Sequence, residues 1–444
     1  MVGLCGRIFA SVLCVLFACC AAHAGAYLNK YTPSQLKVDL EFRYRMEYRD
    51  NFDFNESRDD EEVLHLRRTR LNLKYNPLKE LMFFIQGQDA RIDEDSNLNN
   101  ALFENFFDVR QLYADYTDNV TFEPLQLNKV SLRAGRQELS YGAQRLIGGF
   151  NWSNVAQTFD AGKVGLHFVP AHVQIDFFGG DKTPLKAPRE FDDLYDGSSR
   201  ERFMGYYATA KAFGETLLEQ YFLVRETDRN ISFGPAGSGQ VEDYTAGGRV
   251  KKTFKNGVDY EIEAARQFGE FRGKDVEAGM AVGIIGYTFV HAPWQPRTAF
   301  EFTYGSGDDD PTDDELNTFD NLYPTNHLFY GYIDFVSLQN TTQFHYQVMA
   351  KPHKKLKLQA DWHAFYLDTV KDSYYNAARA VVRTAATSVD DHLGNEIDAT
   401  ADYKLNDYTA IQVGYSHFFA GDYLRETGAD DDADFVYVQT TFSL

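Results

Sequence analysis

Cysteine is nearly absent from this sequence. Only four of its 444 residues are cysteine, and all lie within the first 20 positions, at Cys5, Cys14, Cys19 and Cys20. The same stretch has one cation, Arg7, then an apolar run, then Ala22-His23-Ala24, the small-x-small pattern of a signal-peptidase site. We expect residues 1–24 to be a signal peptide and residues 25–444 to be the mature protein. The mature protein would then contain no disulfide, thiolate metal site or catalytic cysteine.

A lipidated N-terminus is the alternative to simple cleavage. Leu16-Phe17-Ala18-Cys19 has the outline of a lipobox, which would place a lipid on Cys19 or Cys20, although Phe17 is bulky for its position. Both alternatives send the chain out of the cytoplasm, and the sequence leaves the choice open.

Basic residues are outnumbered, and long apolar runs are missing. The sequence has 44 Lys and Arg against 65 Asp and Glu, a formal net charge of −21. This balance argues against a nucleic-acid-binding protein, which presents a basic surface. Beyond residue 26, no window approaches the ~20 apolar residues that a membrane-spanning helix needs. If the mature chain sits in a membrane, it must do so as strands.

Strict alternation is the strongest positive signal. Residues 36–49 read LKVDLEFRYRMEYR, with apolar or aromatic residues at even positions and charged residues at odd positions. Soluble strands typically have ~5–6 residues, whereas a tilted strand that crosses a bilayer needs ~9–11. Lipid cannot hydrogen-bond the backbone, so a membrane sheet must close on itself, with one apolar face and one face free to be polar. An alternation this long therefore favours a membrane strand.

The same period recurs along the chain and predicts an all-β fold, a transmembrane antiparallel β-barrel of about 18 strands. The predicted strands cover residues 36–48, 63–76, 80–91, 108–118, 127–137, 158–169, 171–180, 202–213, 216–227, 241–254, 258–269, 275–290, 297–305, 341–351, 355–368, 393–404, 407–419 and 434–444. Short turn signals, such as Asn76-Pro77 and Asn256-Gly257, alternate with long polar segments such as 138–157 and 306–340. We expect short periplasmic turns and long extracellular loops.

The polar face of these strands is rich in cationic side chains. If the even positions of the first strand face lipid, its arginines line the lumen, and later strands add to the same sector. The predicted lumen residues are Arg43, Arg45, Arg68, Arg70, Lys74, Arg110, Arg133, Arg136 and Arg145. Guanidinium groups bind carboxylates bidentately, and rings of cations favour anions in pores. We predict an anion-binding lumen; the alternative is a structural network with neighbouring carboxylates such as Glu41, Glu47 and Asp115.

Motifs for catalysis or cofactor binding are missing. The sequence has no Gly-x-Ser-x-Gly and no His-Glu-x-x-His, and its 11 histidines are scattered. The acidic run 308–315 lacks the glycine spacing of a calcium loop, so we interpret it as an external loop that is solvated or bridged to lipopolysaccharide. We expect no cofactor, no metal and no enzymatic activity.

Three stretches resemble the alginate export family of outer-membrane barrels. They are 47–91 (EYRDNFDF, then LRRTRLNLKYNPLKELMFFIQGQDAR), 132–161 (LRAGRQELSYGAQRLIGGFNWSNVAQTFDA) and 308–340, which ends YPTNHLFYGYIDFVSLQN. The resemblance implies a monomeric barrel of eighteen strands whose arginine-lined constriction passes an anionic polysaccharide outward, with loops as gates. By position, it places Arg136, Gln137 and Arg145, with Arg68 and Arg70, at the constriction.

Three functions remain in competition. The first is a passive, anion-preferring outer-membrane channel for an anionic polysaccharide or oligosaccharide such as alginate, or for small anionic solutes. The second is a general diffusion porin with mixed-charge walls, and the third is a barrel enzyme or adhesin. The expected partners are outer-membrane lipid, lipopolysaccharide and periplasmic export machinery.

Overall fold

The computed structural model describes residues 33–58, 60–92, 101–169, 171–185 and 200–444. The signal peptide and lipobox expected at the N-terminus lie outside these residues. The described strands form one closed antiparallel barrel of 18 strands. The predicted fold class and the approximate position of every predicted strand are confirmed.

The barrel strands are long enough to cross a bilayer at a tilt. They are β1 (Leu36–Asp50), β2 (Glu62–Tyr75), β3 (Leu81–Ile92), β4 (Asn105–Phe122), β5 (Leu127–Gln137), β6 (Phe159–Phe168), β7 (Val173–Lys182), β8 (Glu201–Ala212) and β9 (Thr216–Thr227). The second half comprises β10 (Val241–Thr253), β11 (Val258–Phe271), β12 (Lys274–Thr288), β13 (Arg297–Gly305), β14 (Thr341–His353), β15 (Leu356–Tyr366), β16 (His392–Lys404), β17 (Thr409–Ala420) and β18 (Ala433–Ser443).

Each strand pairs with its neighbours in sequence, and β1 closes the barrel by pairing with β18, where Arg45 lies opposite Gln439. Side chains alternate across the wall: on β2, Arg68 and Arg70 are buried inside, whereas Leu71 is exposed. The outer face carries exposed apolar residues such as Leu132 and Phe300, as the lipid environment requires.

The two ends of the barrel differ. One end carries mostly tight connections, such as 254–257 between β10 and β11, and the other carries the long segments. The connection between β11 and β12 is an exception at the long-loop end, because Arg272 and Gly273 alone join the two strands there. The described helices are single short turns and the helix Asp422–Thr427. No described helix has the length and apolar character needed to cross a membrane.

Two long segments start at the long-loop end and fold into the lumen. We call residues 138–158 the first inward segment and residues 306–340 the second inward segment. They contact each other through a parallel bridge between Ile147 and Tyr323 and through stacking of Trp152 on His327, with ring centroids 3.7 Å apart. Their apolar side chains pack with inward residues of the wall, such as Phe203, in one buried cluster. The lumen therefore has a hydrophobic core of its own, which alternation could not predict.

Candidate functional site

Five arginines of β1, β2 and β4 form one side of the lumen. We call this set the arginine wall: Arg43, Arg45, Arg68, Arg70 and Arg110. All five are buried. Arg43 lies directly opposite Arg68 in the pairing of β1 with β2, so the two side chains share the inner face of the wall. The structure thus brings together five of the ten residues predicted for the lumen and its constriction, Gln137 included.

The first inward segment provides neutral oxygen acceptors for the guanidinium groups of this wall. Arg43 donates to the carbonyl oxygen of Asn151 at 2.7 Å and to that of Ser153 at 3.1 Å. Arg68 donates to the same Asn151 carbonyl at 3.0 Å. Arg45 donates to the carbonyl of Trp152 at 2.8 Å, and its guanidinium lies 3.7 Å from the indole centroid. Backbone carbonyls therefore occupy positions that a carboxylate could take.

The arginine wall carries more positive charge than its carboxylate partners cancel. Arg45 pairs with Glu47 at 2.6 Å, Arg68 with Glu41 at 2.8 Å, and Arg110 with Glu138.

The other two wall arginines have neutral partners among the described residues. Arg43 binds the oxygens of the first inward segment, and Arg70 binds Gln88 at 2.7 Å and the side chain of Asn151 at 2.9 Å. The wall therefore keeps a surplus of cationic charge. Burial opposes ionisation of Glu138, but the Arg110 charge outweighs it and lowers the pKa of Glu138.

The other residues predicted to line the lumen lie outside the arginine wall. Lys74 is exposed near the end of β2, and Arg133 pairs with Asp115 at 2.6 Å. Arg136 holds Asp160 through two hydrogen bonds, at 2.9 and 3.0 Å. It borders a small pocket together with Arg110.

Gln137 is fully buried and donates to the carbonyl of Ala161 at 2.7 Å. Arg136 and Gln137 are both buried although they are adjacent. In the unshifted register of β5 with β6, Arg136 lies opposite Asp160 and Gln137 opposite the buried Phe159.

Arg145 anchors the first inward segment to the opposite side of the barrel. Its guanidinium contacts Glu261 at 2.7 Å, Glu301 at 3.2 Å and Glu263 at 3.4 Å. With Glu219, which pairs with Arg249, these residues form a carboxylate wall on β9, β11 and β13. The sequence analysis missed this wall, although the alternation of Glu261 and Glu263 in β11 was a usable signal.

A cavity of about 470 Å³ opens beside the arginine wall. Arg45, Arg49 and Arg379 contribute cations to its lining, and Trp152 and Tyr332 contribute aromatic faces. This combination suits a solute of monosaccharide size that carries a carboxylate and a ring, because sugar rings and aromatic rings both pack on flat side chains.

A buried carboxyl in the second inward segment makes its docking depend on pH. Burial, with the charge of Asp372, raises the pKa of Asp308 from 3.8 to about 6. A raised carboxyl pKa means that ionisation opposes docking, so docking is strongest in acid and weakens as the pH rises through this range. The expected loss is about 1–2 kcal/mol, allowing for water in the lumen.

Hydrogen exchange of residues 306–340 at about pH 4 and about pH 7.5 checks this expectation, after correction for intrinsic exchange. Protection should fall with rising pH in the wild type and stay nearly constant in Asp308→Asn. Asp309→Asn, at the exposed neighbouring position, should behave like the wild type. Equal pH dependence in Asp308→Asn would contradict the assignment.

Solved structures with the same architecture are outer-membrane proteins. The chain superposes on Pseudomonas aeruginosa OccK2 (OpdF) with a TM-score of 0.60 at 11% identity, covering 93% of this chain and 98% of that one. For Acinetobacter baumannii OccAB1 the TM-score is 0.61 at 11% identity, with 92% and 96% covered. For P. aeruginosa OpdK with vanillate it is 0.60 at 12% identity, with 93% and 99% covered. At these identities the likeness establishes the fold alone.

Sequence comparison adds the family. No protein of curated function matches the sequence. The family described as Alginate export matches residues 34–438, nearly the whole of the described chain. Family and fold are those of transport channels and porins of the bacterial outer membrane, where the outer face of the barrel contacts lipid and lipopolysaccharide and the lumen passes solutes. This chain therefore belongs to the alginate export family of outer-membrane β-barrels.

Proposed function

We propose that this protein is a passive, anion-preferring channel that passes or exports carboxylate-bearing saccharides, such as alginate or its fragments. The observation that carries the proposal is the arginine wall, in which Arg43 and Arg70 bind neutral oxygens while the other three members share three carboxylates. A surplus of buried guanidinium charge in a pore favours anions.

The proposed transport step is an exchange of partners. At rest, the carbonyls of residues 151–153 hold Arg43, Arg45 and Arg68. A carboxylate makes charge-assisted and bidentate bonds to guanidinium, roughly twice as strong as bonds between neutral groups. An arriving uronate therefore competes with the carbonyls, and the loss of those contacts releases the first inward segment. Several weak sites in series let each unit move on.

The size of the site sets what passes without rearrangement. A cavity of about 470 Å³ holds a single sugar acid, so passage of a polymer requires both inward segments to move aside. Similar barrels support the carboxylate chemistry: OccK2 (OpdF) has a structure in complex with glucuronate, and OpdK has one with vanillate. We extend that chemistry to this chain on the basis of its own arginines.

Reversal potentials in a planar bilayer under a KCl gradient test the proposal. The wild type should prefer anions. Arg43→Gln with Arg70→Gln should lose most of that preference, because the variant removes the two wall guanidiniums that make no direct ion pair with a described carboxylate. Arg266→Gln is the matched control, since Arg266 lies exposed and pairs with Glu277. Wild-type selectivity that survives in the double variant would contradict the role of the arginine wall.

A general diffusion porin is the second candidate, and the carboxylate wall favours it. Glu261, Glu263 and Glu301 face the arginine wall from across the lumen, so the pore carries both signs on opposite sides. Such walls give little preference between anions and cations. A wild-type reversal potential near zero would support this candidate.

Transport by either route is driven by the solute gradient, so we propose no catalysis and no cofactor. We also propose that the barrel works as a monomer and receives polymer from periplasmic export machinery. Long loops that act as an adhesin or an enzyme would predict a closed lumen, and steady conductance would contradict that alternative.

A further inference from the structure

A second group of chemically active side chains lies in the wall, away from the arginine wall. We call it the histidine–carboxylate cluster: Glu301 of β13, His345 of β14, Asp361 and His363 of β15, and Asp398 of β16. His345 lies directly opposite His363, and Asp361 lies directly opposite Asp398, in the pairing of neighbouring strands. All five are buried. Four adjacent strands therefore place two imidazoles and three carboxylates in one patch of the lumen wall.

The donor atoms are close enough to share one ion. One donor atom each of His345, Asp361 and His363 lies within 4.8 Å of the others. The Nε2 atom of His345 is 2.9 Å from Asp361 Oδ1. The rings of His345 and His363 stack with centroids 4.1 Å apart and an angle of 11° between their planes. For both rings to bind one ion at the ~2.0–2.1 Å bond lengths that Zn²⁺ makes to nitrogen, they must rotate out of this stack until their in-plane lone pairs converge.

Each imidazole also has a carboxylate near a ring nitrogen. Glu301 lies 3.6 Å from His345 Nδ1, and Asp398 lies 3.2 Å from His363 Nε2. Such carboxylates fix the ring orientation and the tautomer of histidines that bind metals, and raise their basicity. The remaining nitrogen of His363, Nδ1, is buried and has no hydrogen-bond partner among the described residues.

The negative charge of the cluster is only partly compensated. Asp398 has the imidazole of His363 at 3.2 Å as its ion-pair partner, and neither of its buried carboxylate oxygens makes a well-aligned hydrogen bond to a described residue. The guanidinium that contacts Glu301 belongs to Arg145, which shares its charge with Glu261 and Glu263. Buried charges are ordinarily paired or bound to metal, because leaving them unpaired in a low-dielectric setting costs several kcal/mol.

We propose that the histidine–carboxylate cluster binds one divalent transition-metal ion of the Zn²⁺ type. His345, His363 and Asp361 are its ligands, and Glu301 and Asp398 orient the two rings. Two imidazoles and a carboxylate are borderline donors that favour Zn²⁺, Ni²⁺ or Cu²⁺ over Mg²⁺ and Ca²⁺, which prefer all-oxygen sites. A cavity of about 330 Å³ adjoins the cluster at His345 and Glu301, and it is also lined by the basic residues Arg145, Arg249, Lys251 and Arg297. The ion would join β14 to β15, and its binding does not depend on which solute the pore carries.

Zinc titration of the chelator-stripped, detergent-solubilised full chain tests the proposal. Competition with a chromogenic chelator should give one bound Zn²⁺ per wild-type chain and none at the same affinity in the variant His345→Gln/His363→Gln. Asp398→Asn should weaken binding by about 10–100-fold, as expected when the partner of a metal-bound histidine is lost. His353→Gln, at an exposed histidine, should bind like the wild type.

Heat-modifiable gel mobility shows whether each variant still forms the barrel. If the double histidine variant fails to fold, the single variants His363→Gln and Asp361→Asn replace it. X-ray absorption of the Zn²⁺-loaded chain should show two imidazole ligands. A folded wild type that binds no Zn²⁺, or a folded ligand variant that binds it equally well, would overturn the proposal and indicate that the cluster is neutralised by protons instead.

Discussion

Replacing Arg145 by methionine is expected to release the first inward segment and raise single-channel conductance. The guanidinium is the charge that lets Glu261, Glu263 and Glu301 sit together under this segment. Methionine keeps much of the length and apolar stem but leaves these carboxylates facing an uncharged side chain. Removing one partner of a buried ion pair costs about 3–5 kcal/mol. That energy shifts the docking equilibrium by about two to four orders of magnitude.

The barrel itself should survive this change. Its strands are joined by backbone ladders that do not involve Arg145, and water that enters the lumen can hydrate the exposed carboxylates. Conductance and hydrogen exchange of residues 138–158 measure the release, with Arg266→Met as the control for loss of an exposed arginine. Unchanged conductance with full protection of the segment would show that its apolar contacts suffice to hold it.

Replacing Asp320 by asparagine is expected to release the second inward segment by a similar amount. Asp320 accepts from Arg225 at 2.7 Å and from Arg379 at 2.7 Å, so one carboxylate ties this segment both to β9 and to the loop before β16. Burial opposes its ionisation, but the two arginines outweigh burial and hold the pKa of Asp320 well below its usual value. Its stabilising contribution is therefore complete at neutral pH and lost only in strong acid.

Asparagine keeps the shape but removes the charge, so we expect about 3 kcal/mol of lost docking energy. Hydrogen exchange of residues 306–340 and channel conductance measure it, and Asp309→Asn serves as the exposed control. Conductance equal to that of the wild type would argue against a gating role for this segment. Combining Asp320→Asn with Arg145→Met should add less than the sum of the two effects, because the two segments pack on each other through Trp152 and His327.

Release of the inward segments also distinguishes the anion-preferring channel from the general diffusion porin. If the arginine wall sets selectivity, Arg145→Met should raise conductance and preserve anion preference. Arg43 and Arg70 stay in place and lose only the oxygen acceptors of the first inward segment. If the pore is a general porin, the same variant should conduct more of both ions. Substitution of Arg145 therefore tests how the first inward segment is held, and substitution of Arg136 tests its pairing with Asp160. Substitution of Arg43 and Arg70 tests ion selectivity.

The approximate strand positions could be predicted from sequence because they depend on local rules. Alternation with period two follows directly from a wall that has lipid on one side and water on the other, and turn residues follow from backbone geometry. Inward placement of Arg43, Arg45, Arg68 and Arg70 came from the same rule. Arg136 and Gln137 show where the rule does not suffice, because these adjacent residues of one strand are both buried.

The sequence by itself determined the barrel, its number of strands and their approximate ends. It also determined which face of the first two strands meets lipid. Only the tertiary structure decided where the long segments go and which charges meet. Arg145 reaches Glu261 across 116 positions of sequence, and Asp320 reaches Arg225 across 95. Such pairs depend on closure of the barrel and on apolar packing inside its lumen. No short-range sequence pattern predicts these pairs, because their partners are far apart in sequence and come into contact only when the barrel has folded.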